Sequence, residues 1–140
     1  MNVLAQADPI LDPNIEPEIW WFALSPLLVL VGGALTLMLI GALTPKWPKG
    51  LYALASAMVA GAAGTLAIFN WDDISDNGPT TLVAGALAFD TFAMWSTVTI
   101  CAAVILVSML TDEFIRNTPN DGPEVYSLYL VAATGGIVMA

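Results

Sequence analysis

Charged side chains cluster along this chain, and between the clusters run long stretches that carry none. Ile19 to Leu43 has no Asp, Glu, Lys or Arg, and its run LLVLVGGALTLMLIGAL is almost wholly aliphatic. At a 1.5 Å rise, about 25 helical residues reach roughly 37 Å, enough to cross a hydrocarbon core of about 30 Å with some tilt. Trp20 and Trp21 open this stretch and Trp47 lies just past it, where aromatic belts form at membrane boundaries. Leu51 to Phe69 is a second uncharged run, rich in Ala and Gly. Thr91 to Thr111 is a third, flanked by Asp90 and by Asp112 with Glu113. A fourth apolar run starts near Val125 and continues to Ala140.

This pattern predicts an all-α membrane protein, with transmembrane helices over 19–43, 51–69 and 90–111 and the start of a fourth over 125–140. About 16 residues of helix span only roughly 24 Å, less than the core thickness. The fourth helix is therefore expected to be truncated, and the chain to be part of a larger multi-helix bundle. Residues 1–18 are acidic and hold Pro9, Pro13 and Pro17, which predicts a solvated arm. No Lys or Arg precedes the first apolar run, unlike a secretory signal peptide, so that run is expected to stay as a span. The segment TPKWPKG reads as a turn. The loop 70–89 opens with an acidic turn around Asn77-Gly78-Pro79; its second half, Thr80 to Phe89, is too short to cross and is expected to be extended or interfacial. The loop 112–124 carries Pro119 and a second turn, Asn120-Asp121-Gly122-Pro123.

Orientation follows from the basic residues. Lys46 and Lys49 fall between the first and second spans, and Arg116 between the third and fourth. Two spans separate these loops, so they share one side. The positive-inside rule makes that side cytoplasmic and puts the N-terminus and the loop 70–89 outside.

Composition agrees with burial in lipid: of 140 residues, 58% are hydrophobic and only 11% charged, where a soluble domain carries about 25%. The net charge of -9 excludes a basic face for nucleic acid and a polybasic patch for anionic lipid. With no histidine and the single cysteine Cys101, neither a disulfide framework nor a Cys/His zinc site can be built. There is no phosphate-binding glycine loop and no nucleophile–base pair, and the apolar runs contain no Lys, Glu or Arg of the kind that ion conduction needs. No catalytic, cofactor-binding or metal-ligating residue is assigned.

A few positions admit two readings. Ala53, Ala57 and Gly61, with Ala60 and Gly64 beside them, form either a helix-packing face or ordinary Ala-rich composition. Asp90 is either an intramembrane proton site or a group complementing the positive end of the third helix; the second reading does not require its burial. Gly135 and Gly136 are expected to pack against a neighbour rather than to form a flexible point. Cys101 is expected to be an unreactive core or lipid-facing residue.

The segment DTFAMWSTVTICAAVILVSMLTDEF resembles the third helix of the antiporter-like subunits of proton-pumping NADH-quinone oxidoreductase, respiratory complex I. PEVYSLYLVAATGGIVMA is similar to the fourth helix of the subunit N family, where an acid and a Tyr precede an aliphatic run ending in a small-Gly-Gly-aliphatic pattern. The likeness covers Phe89 to Ala140; Ile19 to Phe69 agrees in span count and orientation. It implies a membrane-arm subunit of a complex that uses NADH and quinone, partnered by other membrane-arm subunits and the bilayer, in a bacterial cell membrane. Such a subunit binds no flavin, iron–sulfur cluster, NADH or other small-molecule substrate itself. Its proton-translocating Glu and Lys would lie on later helices, so none can be carried onto this chain. Two alternatives remain: a subunit of a multi-component cation/proton antiporter, or a small non-enzymatic accessory or assembly protein.

Overall fold

The computed structural model describes residues 21–44, 48, 50–77, 80–82, 87–115 and 124–139. The acidic arm 1–18, the three basic residues and most of the loop 112–124 lie outside these residues. Four helices form in the predicted order: α1 Ser25–Leu43, α2 Leu51–Asn77, α3 Thr91–Ile115 and α4 Glu124–Met139. The first three are long and apolar enough to cross a membrane, with the candidate span of α2 covering Leu51–Asp72; α4 is apolar but shorter, at 16 residues.

Local chemistry sets most of the ends. α1 stops at Leu43 because Thr44 precedes Pro45, which disfavours helical backbone before it. The Thr44 amide and hydroxyl both donate to the Ile40 carbonyl, at 2.8 and 2.6 Å, closing the last turn. α2 is preceded by Gly50 at φ 94°, a conformation an L side chain rarely adopts. α3 starts behind Asp90, and α4 starts at Glu124, whose charge suits the positive end of the helix.

Two helices outrun their apolar stretches. α2 continues to Asn77, into the segment expected to be loop from residue 70. Its packed face persists there: Ala67, Asn70 and Ile74 are buried, and the Trp71 ring meets Trp95 of α3 edge-on at 4.9 Å. That packing outweighs the unfavourable acids at the negative end of α2, and Gly78-Pro79 follows the last helical residue. α3 likewise runs past Thr111 to Ile115. Asp112 and Glu113 end the apolar run but not the helix, since charge needs water rather than a chain break. Between α2 and α3 the segment expected to be extended is an antiparallel hairpin, β1 Thr80–Leu82 with β2 Leu87–Phe89, pairing Thr80 with Phe89 and Leu82 with Leu87.

The helices form a four-membered ring: α2 lies between α1 and α3, α4 closes on both α1 and α3, and α2 and α4 touch only lightly across the centre. The central core joins Leu30, Ala34 and Leu37 of α1 to Ala60 and Ala63 of α2, Cys101 and Val104 of α3, and Leu130 and Ala133 of α4. A second cluster at the α1 start gathers Ala23, Ala67, Ile74, Ala93 and Met94. Outside the ring, Leu35, Met38, Leu39, Met58, Leu106, Leu110 and Leu128 are all more than half exposed. So many large aliphatic side chains facing outward is the inverse of a soluble bundle, and it suits a solvent of acyl chains.

Candidate functional site

In lipid a buried polar group is costly unless it is bonded, so such groups mark the positions to inspect. Among the described residues the buried polar side chains are Ser56, Asn70, Thr97, Ser108 and Ser127, none of them ionisable. Two turn inward on their own helices: Thr97 donates to the Ala93 carbonyl at 2.8 Å and Ser127 to that of Glu124 at 2.8 Å. Ser56 of α2 and Ser108 of α3 bond to each other at 3.1 Å, a fully buried link between helices. Near the same end Thr111 and Tyr129 bond at 3.1 Å, joining α3 to α4.

Asn70 is the most constrained of the five. Its side-chain amide donates to the carbonyls of Phe22 at 3.3 Å and Ala23 at 3.4 Å, just before α1. Pro26 lies in the first turn of α1, where a backbone N–H has no intrahelical acceptor, so the proline starts the helix without costing it a bond. The Ser25 amide takes a tighter bond to Phe22 at 3.1 Å, and Asn70 supplies the second donor from the neighbouring helix. Asn70 was not singled out from the sequence, although an uncharged Asn at the end of an apolar run is the available signal.

The positions singled out from the sequence fare differently. Asp90 accepts a hydrogen bond from the Ala93 amide at 2.8 Å, the geometry of an N-terminal cap, which places it at the positive end of the third helix. Cys101 is buried in the central core, and a Cβ on Gly64 would lie 3.4 Å from the Cys101 Cβ. Of the small residues of α2 singled out, Ala53, Ala60 and Gly64 are buried, while Ala57 and Gly61 are only half-buried. The packed face runs through Ala53, Ser56, Ala60, Ala63, Ala67 and Asn70 rather than along the stripe Ala53, Ala57, Gly61. Steps of four drift round a helix of 3.6 residues per turn, while alternating steps of three and four hold one side. Gly135 and Gly136 divide in the same way: a Cβ on Gly136 would touch Ile100 Cδ1 at 3.3 Å, and one on Gly135 would meet nothing. Gly33, not singled out from the sequence, makes the closest approach, with its α-carbon against Val59.

A groove of about 480 Å³ runs between α1 and α4, walled by Val31, Leu35, Met38, Val131 and Val138. Of its polar edge, Ser127 and Thr134 spend their hydroxyl protons on their own helix, at Glu124 and Leu130. Such walls match hydrocarbon, not a polar substrate. No group of three or more His, Cys, Asp or Glu side chains able to hold a metal occurs among the described residues. The arrangement as a whole can hold helices in register; it contains no array for acid–base or group-transfer chemistry among the residues described. In comparisons with known proteins, no family model, curated protein or solved structure matches the chain.

Proposed function

We propose that this chain contributes scaffold helices to a membrane-arm subunit of a proton-pumping NADH-quinone oxidoreductase, of the subunit N type, in a bacterial cell membrane. In this reading the complex couples electron transfer from NADH to quinone to proton translocation, and the chain's partners are other membrane-arm subunits and the bilayer. What supports it is the likeness of 89–140 to the third and fourth helices of that family. The two helices that carry the likeness pack on each other, through Gly136 against Ile100 and Thr111 bonded to Tyr129. The buried polar side chains among the described residues are all uncharged, which also suits helices that brace a translocation path carried elsewhere.

The test is co-migration. Native membranes bearing a tagged copy are solubilised in mild detergent and run on a native gel stained for NADH oxidation. The tag is expected in the band of a large NADH-oxidising complex. Migration alone, or in an assembly that exchanges cations for protons without oxidising NADH, would contradict the proposal and favour the accessory or antiporter alternative respectively.

A further inference from the structure

Two polar atoms meet the start of α1 without a protein partner. Asn70 Oδ1 and Ser25 Oγ are both buried, and neither has a hydrogen-bond partner among the described residues. Both belong to groups that converge on one carbonyl: Asn70 Nδ2 and the Ser25 amide each donate to Phe22 O, at 3.3 and 3.1 Å. Asn70 is completely enclosed, so bulk solvent cannot reach its carbonyl oxygen.

Reversing the amide does not relieve the problem. It would aim Oδ1 at the Phe22 and Ala23 carbonyl oxygens, acceptor against acceptor, and lose both donors. The oxygen therefore keeps its direction and needs a donor. Ser25 Oγ can serve as donor or acceptor, and Ala23 O keeps a second lone pair close by. A buried oxygen that demands a donor and a buried hydroxyl that can give or take one, on two groups that share the Phe22 carbonyl, suit a buried water molecule.

We propose that one structural water sits between Asn70 Oδ1 and Ser25 Oγ, beside the Phe22 carbonyl at the start of α1. It donates to the amide oxygen and exchanges a second bond with the serine hydroxyl. Asn70 ties the segment before α1 to α2, and the water satisfies the atom that this tie leaves over. The site stands apart from the respiratory reading and holds whichever assembly the chain serves.

A structure of the intact protein in lipid nanodiscs, at a resolution that shows ordered water, tests it directly. Expected is a single peak at about 2.7–3.2 Å from both Asn70 Oδ1 and Ser25 Oγ. A protein donor on Oδ1, or a peak at clearly shorter distance with the amide oxygen turned toward Phe22 and Ala23, as for a bound cation, would overturn it. A double-mutant cycle gives a second readout. Ser25→Ala leaves the bonds from Asn70 to Phe22 and Ala23 in place, and should lower the apparent Tm in the parent but much less in an Asn70→Ala background. Equal shifts in the two backgrounds contradict a shared water; should Asn70→Ala fail to fold, the density decides alone.

Discussion

Gly33 of α1 lies directly against the side chain of Val59 of α2: a Cβ added at Gly33 would collide with Val59 Cγ1 and stand 2.8 Å from Cγ2. Its neighbour Gly32 faces open space, and a methyl group added there would meet nothing within 4 Å. Gly33→Ala is therefore expected to destabilise the bundle by about 1–3 kcal/mol, the usual range for overpacking. Gly32→Ala should be neutral or slightly stabilising, since alanine favours helix. Adding Val59→Ala to Gly33→Ala should restore most of the loss. Thermal unfolding in detergent reads all three, and equal effects at the two glycines would refute the packing.

The Ser56–Ser108 bond gives a second prediction. Interhelical hydrogen bonds in membranes contribute about 0.6 kcal/mol on average. Ser56→Ala and Ser108→Ala should each cost that order, and the double variant should cost about as much as either single one. Strict additivity would show that the two hydroxyls do not share a bond.

Asn70 should hold the segment before α1 in place. Asn70→Leu leaves the Phe22 and Ala23 carbonyls short of a buried donor, at an expected cost of about 1–3 kcal/mol. Pro26→Ala should change stability much less, since a first-turn N–H has no intrahelical acceptor. Thermal unfolding in detergent reads both, and an Asn70→Leu cost near zero would mean that the amide supports neither carbonyl.

Asp90 separates a cap from a proton site. Asp90→Asn keeps the oxygen that accepts from Ala93, and should leave stability within a few tenths of a kcal/mol, whereas Asp90→Ala should cost about 1 kcal/mol. Under the proposed function, NADH-driven proton pumping should survive Asp90→Asn. Loss of pumping with an unchanged melting curve would return Asp90 to the proton-site reading.

Much of the fold was legible because apolar runs bounded by charge or proline are strong signals. Leu43 before Pro45 and Asp90 before the third helix set boundaries by local chemistry, and the structure places helix ends there or within a residue. The end of α2 was not legible: Asp72 and Asp73 look like a loop, and only the packing of Trp71 and Ile74 shows that the helix continues. Which glycines touch a neighbour was hidden for a related reason. Gly32 and Gly33, or Gly135 and Gly136, are identical in sequence terms, and a 100° step on the helix decides which faces the core. Asn70 needed tertiary structure too, since its partners lie 47 and 48 residues away.

The central claim is a bundle that crosses the membrane, with α3 passing from one face to the other. Single cysteines at Asn77 and Asn117, in a Cys101→Ala background, flank that helix and can be treated with an impermeant maleimide on intact cells. Asn77→Cys should label from outside, and Asn117→Cys only after the membrane is opened. Labelling of both from the same face would contradict the account.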